Sequence, residues 1–225
     1  ADEPARAFTE VQFRRFQAVV KQVEDAGFNP VYRHLANSAG VFSRPLSCCN
    51  LVRPGIVLYG GLTGSCLDRA VSQQPVMRFV SRIALLKPLK KGEAVSYGHR
   101  FTAGRQSQIA AVPVGYADGY NRLLSNRGEV LVRGRPAPVA GTVCMDWILV
   151  DVTDIPNVRV GDQVVLLGCD GQDCISAEEW AEKIGSITYE VFCGISKRVP
   201  RTYFRRGKVE AFKSLLGVIP NHVSV

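Results

Sequence analysis

The stretch VSYGHRFTAGRQSQIAAVPVGYADGY, Val95–Tyr120, contains two segments of alternating apolar residues joined by a polar loop with a glycine. This pattern predicts two neighbouring β-strands. A tyrosine lies beside a glycine near each end, as Tyr97-Gly98 and Gly115-Tyr116. Glycine permits a sharp bend of the backbone or the close approach of a ligand. Each phenol is therefore either a proton carrier or a hydrogen-bonding group at the edge of the core.

The chain after Pro75 is rich in segments with the same strand-like pattern. Glycine-containing turns separate several of them, which favours a mostly β domain. One helix is predicted at 176–183, because Ser176 and Glu179 form a capping box before an apolar segment. The predicted strands are 76–86, 109–114, 129–132, 137–150, 163–167 and 188–193.

The first sixty residues have a different pattern. Residues 8–26 form the clearest helix, with apolar side chains at helical spacing and Gly27 at its end. Short strands are predicted at 31–35 and within the apolar segment 51–59, with a loop and a short helix between them. This alternation of helix and strand is typical of an α/β unit.

Glycine and proline cluster between Gly60 and Pro75, where the α/β pattern gives way to the β pattern. We therefore predict two domains, 1–72 and 73–225. Two parallel strands do not form a stable sheet alone, so we expect residues 1–72 to be the end of a larger domain. The chain begins ADEPARAFTE without methionine, which indicates either a removed initiator or a fragment.

Composition excludes several classes of function. The 225 residues carry a net charge of +8, but lysine and arginine are dispersed, which favours a solvated basic face over a nucleic-acid interface. No apolar run approaches the length of a membrane span, and no secretory signal is visible. We therefore predict a cytoplasmic protein with no membrane segment in this chain and no nucleic-acid partner.

The seven cysteines are odd in number, and none of their spacings is of the CxxC type. This argues against a zinc site and against a disulfide framework, and it suits a reducing compartment. We expect the cysteines to be small buried apolar residues. They are Cys48, Cys49, Cys66, Cys144, Cys169, Cys174 and Cys193.

Six motifs along the chain together closely resemble the alanine racemase family. They occur in the family's order with compatible spacing and cover nearly the whole chain, so the set is specific although any one motif is weak. The motifs are HLANSAG (34–40), VRPGIVLYG (52–60), VSYG (95–98), VPVGYADGYNR (112–122), GTVCMDWILVDVT (141–153) and ITYEVFCGISKRVPR (187–201).

The resemblance implies a pyridoxal 5'-phosphate enzyme of fold type III. Family members have an N-terminal (β/α)8 barrel that holds the cofactor and a C-terminal, antiparallel, barrel-like β domain, and they form head-to-tail homodimers. This chain would supply the last α/β units of a truncated barrel, 1–72, and the β domain, 73–225. The barrel's first part, with the lysine that binds the cofactor covalently in a VKANAYG-like motif, is absent from this sequence.

The resemblance also implies a two-base mechanism in which Tyr97 is one base and the lysine is the other. Racemisation removes a proton from one face of Cα and returns a proton on the other face, so two bases on opposite faces are needed. A phenol with a pKa near 10 is a poor base at neutral pH and must be tuned by its neighbours. In the family a histidine bonded to an arginine does this, and His34 and Arg53 match these two positions.

The remaining site residues are implied by the same motifs. Arg53 would lie against the pyridine nitrogen of the cofactor, and because it keeps its proton the cofactor becomes a weaker electron sink. Thr142 stands where many members carry arginine. The implied cofactor-binding residues are Ser38, Arg53, Gly55, Ile56 and Tyr189, the implied substrate-entrance residues are Tyr116, Arg122, Met145 and Asp146, and no metal site is implied.

The resemblance therefore predicts interconversion of L- and D-alanine for peptidoglycan, with this chain inactive on its own. A serine racemase of the same architecture is an alternative that the sequence does not separate from the first. A second alternative is a non-catalytic β-barrel module for binding or assembly, whose basic charge would suit an anionic partner. Retention of Tyr97, Arg53, Ser38 and Tyr189 together argues against that module, because binding alone does not need this set.

Overall fold

The computed structural model describes residues 7–43, 47–61, 74–215 and 217–220. Contacts between Cα atoms divide the chain into two compact units. The first unit contains the described residues up to Met77 together with Ile187–Tyr189, and the second contains Arg78–Ser186 and the residues from Glu190 onward. The predicted domain boundary at residues 72 and 73 lies outside the described residues.

The first unit is mainly helical. Helix α1 (Ala7–Asp25) corresponds to the predicted helix, and its half-buried apolar side chains follow one stripe, although none of its residues is fully buried. A short helix, α2 (Ser38–Ser43), and a 3₁₀ turn (Ile56–Tyr59) follow. The predicted strands at 31–35 and 51–59 are wrong. The described residues contain only one parallel bridge there, between His34 and Leu51, because no neighbouring strand extends the pairing.

The second unit is a set of antiparallel sheets, as the sequence predicts for the chain beyond Pro75. It contains two helices, α3 (Ala177–Ile184) and most of α4 (Thr188–Gly194). The strands are β1 (Phe79–Arg82), β2 (Leu85–Leu89), β3 (Ala94–Val95), β4 (Phe101–Thr102), β5 (Ser107–Val112), β6 (Glu129–Val132), β7 (Arg135–Pro138), β8 (Ile148–Asp151), β9 (Gln163–Asp170), β10 (Asp173–Ile175), β11 (Arg201–Arg205), β12 (Lys208–Ser214) and β13 (Gly217–Pro220).

Four sheets are present among the described residues. The largest has the order β1-β9-β6-β7, with β10 also paired to β9. The others are β2-β5-β8, the two-stranded β3-β4 hairpin, and β11-β12-β13. Alternation on β8 buries one row of side chains, and β9 is buried from Val164 to Leu167 because both of its faces are covered.

The two helices of the second unit give opposite outcomes for the sequence predictions. The capping box before α3 is confirmed. The Ser176 hydroxyl accepts from the backbone N–H of Glu179, and the Glu179 carboxylate accepts from the backbone N–H of Ser176. The predicted strand at 188–193 is wrong, because the segment forms α4. Its buried residues Thr188 and Val191, with Ile195 beyond, recur at helical spacing.

One expectation about cysteine is also wrong. Cys169 and Cys174 lie opposite each other on β9 and β10 and form a disulfide bond. Both side chains are exposed, so they are not the buried apolar residues that the sequence suggested. In the described part of the chain, no cluster of His, Cys, Asp or Glu could hold a metal ion. No helix there is long and apolar enough to cross a membrane.

Candidate active site

The β3–β4 hairpin presents Tyr97. Val95 and Phe101, on the two strands, pack against a buried cluster formed by Leu89, Ala103, Ile109 and Ala140. The residues between the strands form a 3₁₀ turn over Tyr97–His99. The hairpin is thus anchored by its apolar strands, while the Tyr97 side chain at its tip is 75% exposed.

The predicted catalytic tyrosine and all four predicted entrance residues line one cavity of about 570 Å³ in the second unit. Tyr97 comes from the hairpin, and the others come from the loops that follow β5 and precede β8. The cavity is also lined by Thr142, Cys144 and Trp147. The five sequence-predicted residues on its wall are Tyr97, Tyr116, Arg122, Met145 and Asp146.

Two loops of the cavity wall are joined backbone to backbone. The N–H of Tyr116 donates to the carbonyl of Cys144 at 3.0 Å, and the N–H of Ala117 donates to the carbonyl of Met145 at 3.0 Å. A Cβ atom on Gly115 would lie 2.2 Å from the Cys144 carbonyl oxygen. Glycine is therefore required here because the two backbones are in contact.

Arg198 joins the same two loops through their carboxylates. Its Nε donates to Asp118 at 2.7 Å, and Nη2 donates to Asp146 at 2.6 Å. Asp118 also accepts from the N–H of Gly115 at 2.9 Å, so it is a turn residue and an ion-pair partner at once. Its hydrogen bonds to Asp118 and then to Asp146 raise the pKa of the Arg198 guanidinium above its ordinary value, so this bridge between the two carboxylates, the Arg198 fork, remains cationic.

Sequence reasoning assigned no role to Arg198, although it belongs to the ISKRVPR part of a family-like motif. Its partners lie far away in the sequence, and spacing alone does not reveal them. The useful signal was the presence of two carboxylates, Asp118 and Asp146, inside the two entrance motifs. Two carboxylates held close together repel each other, and a cation that both of them bind removes this repulsion.

Two smaller side chains complete the cavity wall. Burial raises the pKa of the Cys144 thiol above its ordinary value, so this cysteine is protonated at neutral pH. Thr142 is 6% exposed, and its hydroxyl has no hydrogen-bond partner among the described atoms. A buried hydroxyl without a partner is costly, and a polar group of a ligand would relieve that cost.

In the first unit, His34 and Arg53 are hydrogen-bonded. Nη1 of Arg53 lies 2.6 Å from Nδ1 of His34. A guanidinium only donates, so Nδ1 of His34 accepts and the ring proton is on Nε2. The backbone holds the pair, since the N–H of Arg53 donates to the Ala36 carbonyl at 2.9 Å. This arrangement leaves the Nε2–H of His34 as the donor that a neighbouring group would meet.

Ser38, Gly55 and Ile56 lie together beside this pair. The buried Ser38 hydroxyl accepts from the N–H of Gly55 at 2.8 Å, and its own hydrogen stays available to an acceptor. Asn37 precedes α2, and its Oδ1 accepts from the N–H of Gly40 at 2.9 Å, which fixes the loop. Ile56 begins a 3₁₀ turn, whose first N–H groups have no partner within the turn.

This donor set fits pyridoxal phosphate. A serine hydroxyl and the N–H groups at the start of a helical turn suit a phosphate group, and an arginine suits an aromatic nitrogen that accepts a hydrogen bond. Tyr189, on the first turn of α4, is grouped with the first unit and is 40% exposed. The predicted cofactor residues thus belong to one unit, and the predicted entrance residues and Tyr97 belong to the other.

Two known families match the chain. The alanine racemase C-terminal domain matches residues 76–203, and the alanine racemase N-terminal domain matches residues 1–63. The alanine racemase of Geobacter sulfurreducens is 55% identical over 203 residues, which are 90% of this chain and 53% of that protein. The alanine racemase of Citrifermentans bemidjiense is 54% identical over 204 residues, again 90% of this chain and 54% of that protein.

Solved structures give the same result. The alanine racemase of Clostridium difficile, in complex with cycloserine, matches with a TM-score of 0.87 and 34% identity. The match covers 95% of this chain and 56% of the Clostridium difficile chain. The Bacillus anthracis alanine racemase with bound L-Ala-P has a TM-score of 0.82 at 33% identity, covering 97% and 55%. The chain spans about half the length of the relatives that it matches. By its matched domains and its fold, the chain belongs to the alanine racemase family.

Proposed function

We propose that this chain is the C-terminal part of a pyridoxal phosphate-dependent racemase that interconverts L-alanine and D-alanine. The observation that carries the proposal is the cavity of about 570 Å³ on whose wall Tyr97 and the four entrance residues meet. If the tyrosines only stabilised the core, their phenols would be buried, and no exposed phenol would share a cavity wall with an arginine and a carboxylate.

Tyr97 is the base that this chain contributes. Its phenolate takes the proton from Cα on one face of the substrate in one direction, and the neutral phenol returns a proton on that face in the other. The base for the opposite face is a lysine in the part of the enzyme that this chain does not contain. The side chains around Tyr97 orient the amino acid and narrow the entrance, with Arg122 as the group for the substrate carboxylate.

The first unit holds the cofactor. Ser38, Gly55, Ile56 and Tyr189 bind its phosphate, and Arg53 donates to its pyridine nitrogen while His34 fixes the guanidinium. When bound, pyridoxal phosphate supplies an electron sink that acidifies the Cα proton. Because Arg53 keeps its own proton, the sink stays weak, which disfavours transamination.

The active enzyme is a head-to-tail homodimer in which Tyr97 serves the site of the partner subunit. Residues 1–72 are the end of a (β/α)8 barrel, in which further strands would extend the parallel His34–Leu51 bridge, and residues 73–225 form the barrel-like β domain. The apolar side chains of Phe8, Val11 and Val19 on α1 are exposed. In a complete barrel a neighbouring outer helix covers such a stripe, so their exposure supports the barrel assignment. The enzyme works in the cytoplasm and supplies D-alanine for peptidoglycan.

Mixed dimers test both the reaction and the shared site. The chain is joined behind the part of the Geobacter sulfurreducens relative that it does not match, and racemisation of alanine is followed by circular dichroism. Tyr97→Phe subunits and subunits without the cofactor-binding lysine should each be inactive. Mixed in equal amounts, they should recover about one quarter of the unaltered activity, because half of the dimers are mixed and one of two sites in each has both bases. Inactive mixed dimers would refute the shared site.

The chain alone should not racemise alanine above background, because it offers one base where two are needed. Turnover by this chain alone would show that another residue replaces the lysine.

Serine is the second candidate substrate, and Thr142 is the observation that favours it. Thr142 lines the cavity, and a rotation of its side chain would turn its buried hydroxyl, which has no partner among the described atoms, toward a substrate hydroxyl. The ratio of kcat/KM for serine to that for alanine decides between the two substrates. If serine is preferred, Thr142→Val should lower that ratio.

A further inference from the structure

The backbone that carries Tyr97 is strained. Ser96 has φ 73° and ψ 162°, a combination that residues with a side chain rarely adopt. Gly98 and His99 follow with φ 67° and 49°. Three of the four residues from Ser96 to His99 therefore have positive φ, and the exposed Tyr97 lies among them. Such strain persists only where the surrounding structure holds it.

The Ser96 side chain provides that support. Its hydroxyl accepts from the backbone N–H of Thr142 at 2.7 Å. The segments also touch, because a Cβ on Gly141 would lie 2.4 Å from the Cβ of Ser96. The contact therefore needs glycine at 141 and a short side chain with an acceptor at 96.

A second tie holds the far side of the same turn. Nδ2 of Asn126 donates to the carbonyl of Arg100 at 2.9 Å, and its Oδ1 accepts from the N–H of Gly141. The N–H of His99 also donates to the Ser96 carbonyl at 3.1 Å, which closes the 3₁₀ turn. The Tyr97 turn is thus fixed at both ends to the Gly141–Thr142 segment, while the tyrosine side chain itself stays free to meet a substrate.

We infer that Ser96 is a positioning residue for Tyr97: its hydroxyl, bonded to the Thr142 N–H, holds the strained turn that presents the phenol. This inference rests on the proposed role of Tyr97 as a base. Rigid presentation matters because small misplacement of a catalytic group lowers the rate steeply. Ser96 is not among the residues that line the cavity, so its effect on the reaction passes through Tyr97.

The first experiment needs no cofactor and uses this chain as it is. Backbone ¹⁵N relaxation should give Tyr97 and Gly98 order parameters of about 0.85, the value of rigid backbone, despite the exposure of the turn. In Ser96→Ala these values should fall below about 0.6. Ser96→Gly removes the strain as well as the bond, so the fold should tolerate it better, but the turn should again become mobile.

Ser125→Ala is the matched control. The Ser125 hydroxyl also accepts from a backbone N–H of the neighbouring segment, that of Val143, at 2.9 Å. Ser125 has an ordinary φ of −54°, and the bonds of its hydroxyl go to Arg122 and Val143 rather than to the hairpin. Its loss should lower the melting temperature while leaving the Tyr97 order parameters unchanged. Equal order parameters in Ser96→Ala and the unaltered chain, or an equal fall in Ser125→Ala, would overturn the inference.

The second experiment uses the active fusion described above. Ser96→Ala should lower kcat about 10–100-fold with little change in KM. In a Tyr97→Phe background, Ser96→Ala should have no further effect on the residual rate, because the group it positions is gone. A further loss in that background would show that Ser96 acts independently of Tyr97. If Tyr97→Phe itself leaves the rate unchanged, the proposed function fails, while the relaxation experiment still decides whether Ser96 holds the turn.

Discussion

Tyr120→Phe should stabilise the second unit. Tyr120 is fully buried, and its ring packs edge-on against Trp180 with centroids 4.9 Å apart. Its hydroxyl has no hydrogen-bond partner among the described atoms. Burying such a hydroxyl costs about 1–3 kcal/mol, which phenylalanine would avoid.

The opposing contribution is small. The hydroxyl fills space against Gly128, where a Cβ would lie 2.4 Å from it. Removing one oxygen leaves a gap of roughly 15 Å³, worth about 0.4 kcal/mol at ~24 cal/mol per Å³. The net gain in the free energy of unfolding is therefore about 0.6–2.6 kcal/mol. For a chain of this size the melting temperature rises by roughly 2–4 °C per kcal/mol.

Urea unfolding followed by far-UV circular dichroism measures this gain. Tyr203→Phe is the control, because Tyr203 is 47% exposed and its replacement should change the free energy of unfolding by less than about 0.5 kcal/mol. A loss of more than about 1 kcal/mol in Tyr120→Phe would refute the reasoning. It would show that the hydroxyl has a partner, such as a bound water, whose bond outweighs the cost of burial.

Alkaline pH gives an independent check on the same residue. Burial, and then the charge of Glu129, raise the pKa of Tyr120 far above its ordinary value of about 10. Because the folded pKa is raised, the stability that depends on the neutral phenol is present below pH ~10 and is lost as the pH rises further. Tyr120→Phe should therefore lose less stability between pH 9 and about 11 than the unaltered chain.

Three further predictions concern the second unit. Gly115→Ala should lower the free energy of unfolding by about 3 kcal/mol, because its Cβ would lie 2.2 Å from the Cys144 carbonyl; a near-neutral result in urea unfolding would contradict that contact. Iodoacetamide at pH 8 should alkylate Cys144 more slowly than the exposed Cys193, because burial raises the Cys144 pKa; equal rates by peptide mass spectrometry would argue otherwise. The hydrogen bond from the N–H of Arg159 lowers the pKa of Asp162, so the stabilisation by this carboxylate is present above pH ~4 and is lost as the pH falls through the lowered pKa. Asp162→Asn should therefore reduce the fall in the free energy of unfolding at acid pH, and an unchanged fall would count against this reasoning.

Much of the β architecture could be predicted from the sequence because its signals are local. A short apolar run followed by a glycine turn predicted the strand at 129–132 with the bounds observed for β6, and the Ser176–Glu179 capping box predicted α3. The segment 188–193 was interpreted wrongly because a short run with β-branched and aromatic residues fits a strand and a helix equally well. Only its packing, with Thr188 and Val191 buried together, favours the helix.

The candidate site divides in the same way. The motifs selected the five residues that the structure places on one cavity wall, and their catalytic roles remain predictions. The positive φ of Ser96 was not predictable, since serine does not favour it and only the fold imposes it. The Cys169–Cys174 bond had an overlooked signal, because the glycine turn Gly171-Gln172 between them places the two cysteines opposite each other.

The Arg198 fork also has a consequence for biosynthesis. Arg198 follows Asp118 by 80 residues and Asp146 by 52 residues. A chain still attached to the ribosome exposes the two aspartates first, and they repel each other until the arginine emerges. The β5 and β8 sheet can assemble before then, but the mouth of the cavity takes its final shape only when translation has passed residue 198. A nascent chain stalled earlier would therefore contain a folded sheet whose two entrance loops lack the tie that Arg198 provides.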